Sequence, residues 1–118
     1  GSEAMSLAVR LSRAVTGRQH FIVMQGGYNG NHDELACNVF NSLDEVGPRV
    51  SPDEYPIRPI GAGTTLELDH FVQAGNFNDL EAIRYVCRRY SIAALITVLT
   101  VVYRRGIMGT LRGFERRV

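Results

Sequence analysis

The 118-residue sequence has no lysine and no tryptophan, only two cysteines, and no apolar run that could cross a bilayer. Each shortage excludes something. Without lysine there is no ammonium to reach a phosphate from a P-loop. Cys37 and Cys87 stand fifty residues apart, so neither belongs to a CxxC pair of the redox or zinc kind. The sequence places both inside helices as small core residues, and a disulfide between them would suit an exported protein. The longest apolar stretch, Ile92 to Tyr103, has twelve residues and includes Thr97 and Thr100, against the roughly 20 that a spanning helix needs. No transmembrane segment is expected, and compartment stays open. All four prolines fall between Pro48 and Pro59. That stretch must be mostly loop, with room for an edge strand around Ile57 to Ile60, because proline neither donates to a ladder nor continues a helix.

The residues that are present describe a folding domain. A hydrophobic fraction of 45% with 21% charged residues is that of a globular chain, and the length suits one core. Gly1 to Ala4 read as a tag remnant ahead of Met5, leaving residues 5–118 as a single domain. The thirteen basic residues are all arginine. They are unevenly spread: residues 1 to 81 hold eleven acids and five arginines (net −6), whereas residues 82 to 118 hold eight arginines and only Glu115 (net +7).

Periodicity gives the order of elements. "EAMSLAVRLSRAV" spaces Met5, Ala8, Leu11 and Val15 as a helix that ends at Gly17, with Arg10 and Arg13 facing away. "HFIVMQ" is a short central strand. "NHDELACNVFNSLDEVG" repeats apolar residues at helical spacing behind a capping-box pattern, Asn31 with Glu34, and stops at Gly47-Pro48. "TTLELDHFV" alternates as a strand. "NFNDLEAIRYVCRRYS" repeats the capping logic with Asn78 and Glu81, and buries Leu80, Ile83, Val86, Cys87 and Tyr90 on one stripe. "IAALITVLTVVYRR" is apolar on both faces, as a covered central strand is, and "TLRGFERRV" returns as a hairpin. The expected fold is α+β, an α/β two-layer sandwich: a mixed sheet of four or five strands, two or three helices and a C-terminal β-hairpin.

Candidate chemistry is sparse. "MQGGYNGNHDEL" sits between a strand and a helix, where phosphates bind. It matches neither G-x-G-x-x-G nor the P-loop, and Asp33 and Glu34 already place negative charge at the helix start. Its glycines read as turn formers and Tyr28 as an exposed contact residue. His32 with Asp33 and Glu34, or His70 with Asp69 and Glu67, diverge around their own elements and cannot converge alone on a metal. A site joining His32 to Glu67 and Asp69, or Tyr28 and His32 to Glu67, would need the fold to bring them together. No G-x-S-x-G and no cysteine beside a base is present, so no catalytic residue, metal or cofactor is assigned.

The basic C-terminal third is the main anomaly. Arg84, Arg88 and Arg89 share a helix side, and Arg104, Arg105, Arg112, Arg116 and Arg117 decorate the hairpin. Such forks bind carboxylate or phosphate, unless they pair internally, as Arg84 can with Glu81. The expectation is a non-enzymatic protein-interaction or assembly domain, self-associating or docking a protein partner through these arginines and Tyr28. The alternatives are a nucleic-acid binder using the same surface and a small-ligand-binding or hydrolytic enzyme. The run "NDLEAIRYVCRRYSIAALITVLTVV", a capped helix leading into a long apolar strand, resembles the small α/β domains of envelope-assembly proteins. The likeness is confined to the C-terminal part of the chain and implies fold only.

Overall fold

The computed structural model describes residues 1–48, 54–64, 67 and 70–97. The element order is α1 (Ser2–Thr16), β1 (His20–Met24), α2 (Leu43–Val46), β2 (Val72–Gly75), α3 (Leu80–Arg89) and β3 (Ile92–Ile96). The three strands form one parallel sheet in the order β2-β1-β3. This is the small α/β domain that the sequence implied. Its described sheet is wholly parallel, and the expected hairpin lies outside the described residues.

Why β1 is central follows from its composition. Phe21, Ile22 and Val23 are inaccessible to solvent and Met24 nearly so, and a strand buried on both faces must be apolar without alternation. Phe21 and Val23 pack with Val9, Leu35, Cys37, Val72 and Ile96 on the α1 side. Ile22 and Met24 pack with Val86, Ile92 and Ile83 on the α3 side. A helix therefore covers each face of the sheet. Burying each large side chain of this kind contributes about 1.5–3 kcal/mol.

The helix ends have local causes. Gly17 takes a left-handed conformation, φ 67°, and donates its N–H to Arg13 O at 2.9 Å, ending α1 as expected. The inward stripe is different: Val9 is buried and Met5 packs on the core, whereas Leu7, Leu11 and Val15 are exposed and Arg13 lies over the Phe21 ring at 4.9 Å. α3 is capped by Asp79, whose Oδ1 accepts from Ala82 N–H at 3.1 Å, not by Asn78, which has φ 59°. Ala82 and Val86 are its buried residues, while Leu80 and Cys87 are exposed. α3 lies close on β2: a Cβ at Gly75 would sit 2.6 Å from Ile83 Cδ1, so a larger residue there would have to push the end of the Ile83 side chain aside.

The largest departure concerns residues 31–46. The expected helix does not form beyond the single turn of α2. Leu35 to Val39 are consecutively buried and run as irregular chain bridged to Pro59, with Ile60 N–H donating to Ala36 O and Asn38 N–H to Arg58 O. Asn38 sits at φ 53°, which an α-helix interior does not contain. Tertiary burial has overridden a helical pattern. The strand expected over residues 64–72 lies one segment later, at Val72–Gly75. Of its predicted residues, Thr65, Leu66, Leu68 and Asp69 are outside the described residues, and Glu67 and His70 are exposed.

Candidate functional site

In a parallel sheet all strands end at the same edge, and ligands of open α/β sheets bind outside those carboxyl ends. Here β1 leads into Gln25–Gly30, β2 into Asn76–Asp79, and α1 brings its amino end to the same edge. Asn31 N–H donates to Ser2 Oγ at 3.0 Å, and a Cβ at Gly30, φ 93°, would meet Ser2 Cα at 3.2 Å. Glycine at position 30 thus lets the helix end rest directly on the loop. Between them lies a groove of about 470 Å³ lined by Gly1, Ser2, Ala4, Met5, Tyr28 and Gly30.

The polar groups around this groove are suggestive. The first intrahelical bond of α1 runs from Met5 N–H to Gly1 O, 3.0 Å, and no side chain caps the amides before it. Such amides favour an anion, although Glu3 lies in the same turn, exposed, and opposes one. Asn29 is fully buried. Its Nδ2 donates to Gly27 O at 3.1 Å, and its Oδ1 accepts no hydrogen bond among the described residues.

The loop itself is fastened. Gly26 N–H donates to Asn38 O at 2.8 Å, and Asn38 Nδ2 donates to Gln25 Oε1 and Pro56 O, both at 2.9 Å. Asn38 Oδ1 accepts from Arg58 N–H at 2.6 Å. Sequence reading missed Asn38 because it took the residue for part of a helix, where a buried asparagine has no such role.

The opposite edge carries a larger pocket, of about 700 Å³, whose lining includes Glu54, His70, Phe71 and Tyr90. Arg13 grips Glu34 with two bonds, 2.8 and 2.9 Å, and also donates to Gln19 O. Glu34 is therefore an ion-pair partner, not a helix cap. His20 packs between Phe71 and Tyr90, with ring centroids 5.8 and 5.3 Å away. The buried Glu54 carboxylate meets Arg89 Nε at 3.5 Å. A hydrogen bond to Glu54, then burial, holds the Tyr90 hydroxyl above the usual phenol range.

Of the arginines singled out from sequence, Arg84, Arg88 and Arg89 are exposed on α3. Arg84 pairs with Glu81 at 3.0 Å and Arg89 with Glu54, leaving Arg88 without an ion-pair partner among the described residues. Arg104, Arg105, Arg112, Arg116 and Arg117 lie outside the described residues. His32 Nδ1 accepts from Glu34 N–H at 3.3 Å, and neither His32 nor Glu67 lines the groove that holds Tyr28. Among the described residues no group of three His, Cys, Asp or Glu side chains could hold a metal ion. Both cysteines are free. Burial pushes the Cys37 thiol up to about 12, so it is inert as a nucleophile, and Cys87, expected in the core, is exposed.

Comparison with known proteins changes the functional reading. No protein-family model matches the chain. It is 33% identical over 116 residues to the glutamate-1-semialdehyde 2,1-aminomutase of Thermoplasma volcanium, covering 97% of this chain and 25% of that protein. It is 29% identical over all 118 residues to the same-named protein of Sulfolobus acidocaldarius, covering 26% of it. Among solved structures, an omega-transaminase from Sphaerobacter thermophilus superposes with a TM-score of 0.68 at 21% identity, and a transaminase with PLP bound with a TM-score of 0.61 at 22%. Each match covers 98% of this chain and 27% of the other. The expectation of a non-enzymatic, self-associating assembly domain is overturned: the chain is similar to enzymes along its whole length, and spans about a quarter of the curated relatives it matches.

Proposed function

We propose that this chain forms one wall of the cofactor cleft of a PLP-dependent enzyme of the aminomutase and transaminase kind. The observation that carries the reading is the groove at the carboxyl edge, where an uncapped helix end, a tyrosine ring and a glycine that admits close approach converge. That donor set suits a phosphorylated aromatic ring. Taken as part of the matched length and not as a tag remnant, Ser2, Glu3 and Ala4 would hold the phosphate with their backbone amides, as helix amino ends do, and the Tyr28 ring would lie against the pyridine ring. Met5 and Ala4 offer apolar surface that keeps water from the bound ring.

When bound, PLP supplies an electron sink for chemistry at an amino-bearing carbon. PLP enzymes hold the cofactor through a lysine amine, and this sequence contains none. The residues here therefore bind and orient; a lysine would come from a part of the enzyme beyond these 118 residues. The resemblance to aminomutases supports an amino-acid-derived substrate, with glutamate 1-semialdehyde as the first compound to try.

Equilibrium dialysis of the 118-residue chain against PLP and against pyridoxal tests this. PLP should bind at least about tenfold more tightly than pyridoxal, because the helix end recognises the phosphate, a difference of about 1.4 kcal/mol. Tyr28→Ala should weaken PLP binding about tenfold, in line with a lost aromatic contact, while leaving stability within about 0.5 kcal/mol, since Tyr28 is exposed. No saturable binding, or equal binding of PLP and pyridoxal, rejects the reading.

A further inference from the structure

The segment carrying Tyr28 leaves β1 through Gln25 and Gly26, and both residues are tied to one side chain and its backbone. Asn38 Nδ2 donates to Gln25 Oε1, Asn38 O accepts from Gly26 N–H, and the same carboxamide reaches Pro56 O and Arg58 N–H. Asn38 is fully buried, and all three of its carboxamide bonds are 2.9 Å or shorter. It pays for this placement with a left-handed backbone, φ 53°, a conformation that asparagine tolerates better than most residues but that is uncommon for any side chain. Buried, fully bonded carboxamides of this kind fix a unique arrangement of the segments they join.

We propose that Asn38 is a positioning residue of the groove. By clamping the start of the Gln25–Gly30 loop to the Pro56–Arg58 segment, it sets where Tyr28 stands relative to the amino end of α1, without itself lining the groove. The loop has a second anchor at its far end, where Asn31 N–H meets Ser2 Oγ. Tyr28 therefore hangs between two fixed points, and loosening the Asn38 end would let the ring drift from its place. The consequence for PLP rests on the cofactor reading above, whereas the consequence for loop order does not.

Asn38→Gly separates side chain from backbone, because glycine accepts φ 53° and retains the backbone bonds to Gly26 and Arg58. Amide exchange at Gly26 and Gly27 should rise at least about tenfold in Asn38→Gly, and PLP affinity should fall about tenfold. Asn38→Asp keeps the acceptor for Arg58 N–H but turns an oxygen toward Pro56 O, and should show the same two changes. Asp79→Ala, which loosens α3 through its cap, serves as the stability control and should change neither. Unchanged exchange at Gly26 and Gly27 in Asn38→Gly overturns the proposal, as does the same loss of affinity in Asp79→Ala. A wild-type chain that fails to bind PLP rejects the cofactor reading alone, and the exchange measurement still decides the role of Asn38.

Discussion

The two edges of the sheet are built on different principles. At the amino edge, Arg13, Glu34, His20, Phe71, Tyr90, Arg89 and Glu54 interlock through ion pairs and ring contacts. At the carboxyl edge the chain uses glycines, a helix end without a side-chain cap and a buried asparagine oxygen that has no donor among the described residues. The difference teaches where stability and where binding reside in this fold: ion pairs and ring contacts between distant segments hold the strands at one end, and glycines and a helix end frame a groove at the other.

Changes to the contacts at the amino edge should therefore reduce stability without a specific effect on ligand in the carboxyl-edge groove. The largest expected effect is Phe21→Ala. Phe21 is inaccessible to solvent and lies under Arg13, so its loss should cost about 3–5 kcal/mol in a denaturant titration. A cost below about 1 kcal/mol would mean that β1 is not the central strand. Next comes Arg13→Ala, which removes a two-point contact with Glu34 whose partners are one-quarter and one-fifth exposed. Partial exposure screens the pair, and a loss of about 1–2 kcal/mol is expected, with PLP affinity retained within twofold. If affinity fell with stability, the separation of the edges would be lost.

Asp79→Ala sharpens the comparison from the other side, because Asp79 caps a helix at the carboxyl edge but does not line the groove. Thermal unfolding should show a loss of about 1 kcal/mol. The smallest effect belongs to Arg84→Ala. Its partner Glu81 and Arg84 itself are both more than half exposed, and the change should lie within about 0.5 kcal/mol by chemical denaturation. A larger loss would revive a structural role for the α3 arginines.

How much of this was legible in the sequence can be judged residue by residue. Gly17 announced the end of α1, the unbroken apolar run at Phe21–Met24 announced a central strand, and Arg84 with Glu81 announced their pair. The helix proposed for residues 31–46 failed because apolar spacing cannot distinguish a helical stripe from irregular chain buried on all sides, as Leu35 to Val39 are. The strand expected over residues 64–72 falls instead at Val72–Gly75 because "VQAG" has little strand pattern of its own; its place is set by hydrogen bonding to β1.

The site shows the same division. From sequence the loop "GGYNG" reads as a turn and not a phosphate cradle, because Asp33 and Glu34 are expected at the start of a following helix. With no helix there, Glu34 turns to Arg13, and the helix end that meets the loop belongs to α1, twenty-odd residues earlier in the chain. The sequence by itself determined the apolar strands, the helix stops, the uneven charge and the absence of lysine, since these depend on residue type and local spacing. Only the tertiary structure decided that Ser2, Tyr28 and Gly30 line one groove and that Asn38 clamps its loop. Those contacts join segments distant in the chain, and they follow from how the strands pair and the helices cover them.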